Sequence, residues 1–244
     1  KAKLLRGAKN AVVNLDDPLV SEMAREHPRK IPYSLLENPA DGFGVIERDG
    51  DRWLAAGEKE LLPVSEMRLK GKHNQSNALA ALALASVLDS DSEPQFDALC
   101  GFPGLPHRCQ WVAERNGVTF INDSKGTNVA ATVAALNGLE EPFVLIAGGQ
   151  GKGADLGPLA VAAKDKLLAA VVIGEVADRL RSVLQDSCPV DQAEDFSSAV
   201  EQAARVAVPG STVLLSPACA SFDMFTDYIE RGEAFIAAVE ELGE

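Results

Sequence analysis

Residues 104–128 read GLPHRCQWVAERNGVTFINDSKGTN. The apolar run Val118-Thr119-Phe120-Ile121 leads without a break into Asn122-Asp123-Ser124-Lys125. A strand of this composition buries its middle and delivers its last residues to the carboxyl edge of a sheet. Open α/β folds take their ligands at that edge. Asp123 and Lys125, two apart, suit a phosphorylated or metal-bound ligand there. A surface salt bridge at a strand end reads equally well from these residues alone. Upstream, Pro103 and Pro106 bracket Gly104 and mark a domain boundary. Residues 1–104 and 105–244 therefore read as separate domains.

Beyond the boundary the pattern is regular. Strands are expected at 118–122, 143–148, 168–174, 188–191 and 211–216. Helices are expected at 128–138, 156–166, 176–186, 197–207 and 223–242. This alternation implies a parallel sheet covered on both faces, with right-handed crossovers. Before the boundary, a basic helix stops near Gly7 and a buried strand follows at 10–14. Asp16-Asp17-Pro18 opens a helix running to about His27, with an acidic cap and a first-turn proline. A strand lies near 31–35, a hairpin turns at Asp49-Gly50-Asp51, and a third strand falls at 61–64. An Ala/Leu-rich helix spans 74–88, and a shorter helical piece spans 96–102.

The chain has 244 residues, 46% hydrophobic and 24% charged, with aromatics only 5%. That is enough for one large or two ordinary domains with a sizeable core. The net charge of −13 argues against a general nucleic-acid or membrane surface. A few local Lys and Arg can still hold an anion. Cys100, Cys109, Cys188 and Cys219 form no CxxC pair. They read as free thiols in a reducing cytosol, which points to a cytoplasmic protein. No signal peptide and no bilayer-length apolar run is evident. The chain opens at Lys1, without Met, inside a helix, and so reads as a piece of a longer protein.

Five places can carry chemistry. His73-Asn74-Gln75-Ser76-Asn77 sits at a helix start, where free N–H groups favour anions. Asn74 can equally be a plain N-cap. Arg108 can reach a ligand phosphate with its planar fork, or form an ordinary interdomain salt bridge. Asn122 to Thr127 forms the third place, with Gly126 allowing close backbone approach. Gly148-Gly149-Gln150-Gly151-Lys152-Gly153 follows an apolar strand and can wrap an anion. It fits neither GxxxxGK[ST] nor GxGxxG, so it is neither a P-loop nor a dinucleotide fingerprint. The fifth place, Leu214-Leu215-Ser216-Pro217-Ala218-Cys219-Ala220-Ser221, lies at a strand's carboxyl end and has small residues that leave room for a ligand. Cys219 is discounted as a nucleophile, because no His sits in a matching loop. From the residues alone, the reading is a two-domain α/β protein with an anion-binding cleft.

KGKHNQSNALAALALA, GLPHR, INDSKGTN, GGQGKGADL and LLSPACASFDMF together resemble the Mur ligase family, in the family's order and over nearly the whole chain. The resemblance implies part of a central ATPase domain followed by a Rossmann-like C-terminal domain with a mostly parallel sheet. It implies ATP and Mg2+ as cofactors, with the P-loop upstream of Lys1. A DNPR-type motif, typical of the branch that adds a diamino acid, is not found. The implied substrates are therefore D-glutamate and UDP-N-acetylmuramoyl-L-alanine, joined through an acyl phosphate in peptidoglycan precursor synthesis. The complete enzyme is expected to be a monomer.

By the same resemblance, Asn74, Asn77, Arg108 and Asp123 face the nucleotide. Lys125, Thr127, Lys152, Ser221, Phe222 and Tyr228 surround the incoming D-glutamate. Lys1, Lys125 and Arg108 belong to the catalytic set. Lys1 falls where the family carries a carbamylated lysine that helps hold the metal, and His73 is a weaker metal candidate. Two other readings are a different amide ligase of the superfamily, such as folylpolyglutamate synthase, and a non-enzymatic anion-binding module.

Overall fold

A computed structural model of the chain describes residues 2–69, 71–88, 93–139 and 142–242. Two compact units divide it, Lys1–Pro103 and Gly104–Glu244. No helix among the described residues is long and apolar enough to cross a membrane.

In the first unit, helix α1 spans Ala2–Gly7 and strand β1 spans Ala11–Asn14. Helix α2, Pro18–Met23, starts as its sequence dictates: the Asp17 side chain accepts from the backbone N–H of Leu19 and Val20, and Pro18 fills the first turn. The helix stops short of His27. Strands β2 (Lys30–Tyr33), β3 (Phe43–Arg48), β4 (Asp51–Ala56) and β5 (Lys59–Pro63) complete a sheet of order β1-β2-β3-β4-β5. It is parallel from β1 to β3 and antiparallel from β3 to β5. The β3–β4 hairpin turns on Asp49 and Gly50, with φ 55° and 86°. Two positive φ values match the right-handed twist of the flanking strands. Helix α3, Lys72–Ala85, lies on this sheet. It buries Ala78, Leu79 and Leu82 with Leu54, Leu62 and Met67. Helix α4 is Glu93–Gly101.

The second unit opens with a strand that the sequence pattern did not reveal. β6, Gln110–Arg115, is an antiparallel edge strand against β7, Val118–Asn122. A register shift between Trp111 and Ala113 breaks its alternation, which hides it from a period-2 reading. The rest alternates as expected: α5 (Val129–Gly138), β8 (Phe143–Gly148), α6 (Gly157–Ala163), β9 (Leu167–Ile173), α7 (Ala177–Leu184), β10 (Val190–Gln192), α8 (Phe196–Val206), β11 (Thr212–Leu215) and α9 (Tyr228–Glu241). The sheet order is β10-β9-β8-β11-β7-β6, parallel except at β6. Every residue of β8 is buried. Phe143, Leu145 and Ala147 face one apolar core, while Val144 and Ile146 face the other. Two faces covered at period 2 is the signature of a sheet wrapped by helices. Each large side chain so buried stabilises the unit by about 1.5–3 kcal/mol.

The order matters for function. β11 lies between β7 and β8, with Leu215 in register with Asn122 on one side and Ile146 on the other. The loops that leave these three strands therefore emerge side by side at the carboxyl edge.

Candidate active site

Three loops of the second unit build the site, and polar bonds lock them together. After β7, Asn122 is fully buried. Its Nδ2 donates to the Gly232 carbonyl at 3.0 Å, and its Oδ1 accepts from Ser124 N at 3.0 Å. Those bonds fix the amide orientation, so Nδ2 also donates to His107 Nδ1 at 3.1 Å. His107 lies so close to α9 that a Cβ on Gly232 would stand 2.1 Å from its Nδ1. Only glycine fits there.

Asp123 is 7% exposed. Its Oδ1 accepts from Cys109 N at 3.2 Å, and its Oδ2 accepts from Ser216 Oγ at 2.8 Å. Burial pushes the Asp123 carboxyl above the usual range, opposed by these bonds and by the nearby Arg108 charge. This carboxylate therefore ties the loop after β7 to the end of β11, a structural duty the sequence did not reveal.

After β8 the chain turns on glycine out of necessity. Gly148 has φ 139°, and a Cβ there would sit 1.8 Å from the Ile173 carbonyl oxygen. Gln150 then exchanges backbone bonds with Ala220, joining the loops after β8 and β11. Lys152 is exposed, at φ 45°. After β11, Ser221 is buried and Phe222 is 60% exposed. Burial pushes the Cys219 thiol up to about 11, which removes the thiolate a nucleophile needs.

Arg231 is the residue that sequence reading missed. It is 1% exposed, on α9. Its Nε donates to Ser124 Oγ at 3.0 Å and its Nη2 to Ser124 O at 2.9 Å. Nη1 and Nη2 both donate to Cys219 O at 3.2 Å. One guanidinium thus clamps the loops after β7 and β11. Burial lowers its pKa to about 10, so it stays charged at neutral pH. A signal existed: Arg231, Phe235 and Val239 recur at helical spacing with two buried apolar residues.

Lys125, Thr127, Lys152, Ser221, Phe222 and Tyr228 all lie on or beside these loops. Lys125 Nζ stands 3.7 Å from the centroid of the Tyr228 ring. Lys152 Nζ stands 5.1 Å from that of Phe222. The only ion pairs among the described residues, Arg25–Glu22 and Arg48–Glu60, belong to the first unit. Among the described residues, neither Lys125 nor Lys152 has a carboxylate at ion-pair distance. Arg108 is exposed.

In the first unit, α3 carries the other candidates. Its N-cap is Gly71, at φ 95°, with no side-chain cap bond. Asn74 thus lies inside the first turn and is not the cap. Asn74 is half-buried and Asn77 exposed. His73 Nδ1 is buried without a hydrogen-bond partner, and burial lowers the ring's pKa below 6.5. Lys1 lies outside the described residues. Among those residues, no group of three or more His, Cys, Asp or Glu is placed to hold a metal.

The carboxyl edge of this mostly parallel sheet presents two ammonium groups without a carboxylate partner among the described residues, a glycine turn and a small-residue turn, at the edge where open α/β folds take their ligands. Comparison with known proteins narrows the reading. The Mur ligase middle domain model matches residues 1–85, and the model of the Mur ligase glutamate ligase domain matches residues 107–219. The chain belongs to the Mur ligase family. It is 48% identical to a UDP-N-acetylmuramoylalanine–D-glutamate ligase of Hahella chejuensis, over 96% of this chain and 54% of that protein. It is 44% identical to the Nitrosococcus oceani protein of the same name, over 99% and 54%. The chain thus spans about half the length of the curated relatives it matches. Among solved structures, a UDP-N-acetylmuramate–alanine ligase of Thermotoga maritima superposes with a TM-score of 0.69 at 18% identity, covering 99% of this chain and 54% of that one. A pseudomurein peptide ligase of Methanothermus fervidus gives 0.71 at 16%, covering 99% and 58%. These two share the fold.

Proposed function

We propose that this chain is the amino-acid-accepting part of an ATP-dependent ligase that joins D-glutamate to UDP-N-acetylmuramoyl-L-alanine. The supporting observation is the pair of lysines at one sheet edge, unpaired with carboxylates in a chain of net charge −13. Cations kept free of partners in an acidic protein suit a dicarboxylate ligand.

In the proposed reaction, a carboxylate oxygen of the muramoyl substrate attacks the γ-phosphorus of ATP. The bond to ADP breaks, and ADP leaves with its electron pair. The D-glutamate nitrogen then attacks the acyl carbon, a tetrahedral intermediate forms, and phosphate departs. The proton lost by the amine goes to a base outside the residues assigned here. Lys125 and Lys152 hold the D-glutamate carboxylates, and Thr127 and Ser221 line the same loops. Fixing the amine's carrier removes its freedom before the bond forms. Arg108 neutralises charge spreading over the transferred phosphoryl group. Asn74 and Asn77 contact the nucleotide from the start of α3. Asp123 meets the ribose only through lone pairs its two internal bonds leave over. Magnesium would accompany ATP, yet His73 stands alone as a candidate ligand among the described residues, so no step is assigned through the metal. The complete enzyme is proposed to act as a cytoplasmic monomer.

Steady-state kinetics of the complete enzyme test this. ADP release should require both the muramoyl substrate and D-glutamate. Lys125→Ala and Lys152→Ala should each raise KM for D-glutamate about ten- to a hundredfold, the worth of one charge-assisted bond. KM for ATP should change little. Unchanged D-glutamate kinetics in both variants, or preference for another amino acid across a panel, would reject the proposal.

A further inference from the structure

We infer that Tyr228, and more weakly Phe222, are positioning residues: their ring faces seat the ammonium groups of Lys125 and Lys152 before any substrate arrives. This inference rests on the reading that those lysines hold a dicarboxylate.

The geometry carries it. An ammonium within about 6 Å of an aromatic centroid is attracted to the negative face of the ring. Lys125 Nζ is 3.7 Å from the Tyr228 centroid, well inside that range, and both residues are half-buried. Lys152 Nζ is 5.1 Å from the Phe222 centroid, and both of those residues are exposed. The first seat is therefore the stronger.

Tyr228 is itself held. Its carbonyl accepts from Ser124 Oγ at 2.7 Å, and Ser124 Oγ is in turn bonded by Arg231 Nε. The Tyr228 and His107 rings meet edge to face, 6.1 Å apart between centroids and 77° between planes. Asp227 caps the helix that Tyr228 begins, accepting from Ile229 N and Glu230 N. The backbone under Lys125 is fixed as well, since Lys125 N donates to His107 O at 3.0 Å. His107 thus touches both members of the pair.

The choice of partner has a chemical consequence. A carboxylate would also localise a lysine, but it would cancel the charge and compete with an acidic substrate. A ring face localises the ammonium without cancelling it, and the donors on the far side stay free. The covered face of Tyr228 is not available to the substrate, so the ring acts through Lys125. An edge carrying two such uncancelled ammonium groups attracts a dicarboxylic amino acid and repels one with a second ammonium group.

The test begins without substrate. In the 244-residue chain labelled with 13C at lysine Cε, the Lys125 ε-methylene protons should lie upfield of exposed lysines through the ring current. Lys125→Arg assigns the signal. Tyr228→Leu should move it to the exposed-lysine position, and Tyr228→Phe should keep it upfield. Phe222→Leu should leave it unchanged. Wild-type Lys125 signals at the exposed position, or an upfield signal that survives Tyr228→Leu, would overturn the inference. Retained dispersion of the other lysine signals shows that Tyr228→Leu is folded. If that variant does not fold, the wild-type and Tyr228→Phe spectra still decide.

Kinetics of the complete enzyme give the second readout. Tyr228→Leu should raise KM for D-glutamate about three- to thirtyfold, Phe222→Leu less, and Tyr228→Phe restores it. KM for ATP stays near wild type. Ring-current shifts as expected with no D-glutamate dependence at either lysine would leave the seats standing and remove the amino-acid assignment instead.

Discussion

Replacing Arg231 separates what a buried charge does for geometry from what it does for stability. In Arg231→Met the side chain keeps a similar length and loses every donor. Its four hydrogen bonds reach three acceptors: Ser124 Oγ, Ser124 O and Cys219 O. Ser124 Oγ retains its bond to Tyr228 O. The two carbonyls are left unsatisfied, at about 1–3 kcal/mol each, so about 2–6 kcal/mol is lost. Against this, burying the charge lowers the Arg231 pKa from 12.5 to about 10, burial being the largest cause. At about 1.4 kcal/mol per pH unit, Met recovers about 3 kcal/mol. The two effects nearly offset, and a net change between a gain of about 1 kcal/mol and a loss of about 3 kcal/mol is expected. Arg231→Lys keeps the charge buried but replaces the planar fork with a compact head. One ammonium serves the separated Ser124 and Cys219 carbonyls poorly, so Lys should cost more stability than Met. Urea unfolding followed by circular dichroism, with m-values checked for constancy, measures both variants. A Met variant less stable than the Lys variant would refute the reasoning, because charge rather than fork geometry would then dominate.

Three further outcomes follow from single sites. His73 has its folded pKa pulled below 6.5 by burial. The unfolded chain therefore takes up the proton first, and this stability, full above about pH 6.5, is lost as pH falls through the lowered value. His73→Phe should flatten the loss of first-unit stability as pH falls below about 6.5, measured by thermal melts; an unchanged slope contradicts this. Gly148→Ala puts a Cβ 1.8 Å from the Ile173 carbonyl oxygen at a φ of 139°. It should cost more than about 3 kcal/mol, and a melt within a few degrees of wild type would show that β8 and β9 part easily. Burial pushes the Cys109 and Cys219 thiols up to about 12 and about 11. Both should stay unmodified by iodoacetamide at pH 8 in the native chain, and mass spectrometry showing rapid labelling of Cys219 would restore it as a reactive thiol.

Where the sequence was legible, one local cause set each feature. The fully buried strands β8 and β11 read as continuous apolar runs because helices cover both of their faces. Helix starts at Asn128 and after Asp17 were recognisable because each of these side chains bonds a backbone N–H two or three residues on. Legibility failed where a distant partner decides. β6 forms although its alternation is broken at Trp111 and Ala113, because β7 offers an edge. The sequence pattern starts α3 at Asn74, where the side chain can equally cap the helix or meet an anion. The backbone of Gly71 begins the helix instead. The last helix was expected from 223. It starts at Tyr228, because Asp227 caps it and Asp223 is engaged elsewhere, accepting from Glu175 N at 3.0 Å.

The same distinction runs through the site. A single sequence identifies polar residues on loops that follow strands, and such residues read naturally as ligand contacts. It does not show which of them are already used. Asn122, Asp123 and Ser124 spend their polar atoms on His107, Gly232, Ser216, Cys109 and Arg231, partners up to 110 residues away in sequence. Lys125, next in the chain, has no such bond from its ammonium and rests on a ring. Within one four-residue stretch, three residues build the frame and one keeps its ammonium clear of internal hydrogen bonds, as the proposed carboxylate contact requires. That frame has a physical reason: an ammonium on a flexible stem binds a carboxylate best when its freedom is removed beforehand. Three buried polar residues fix the backbone beneath Lys125, and Tyr228 fixes its head. The lysine alone would be a solvated surface charge. On the proposed function, the frame turns it into a site.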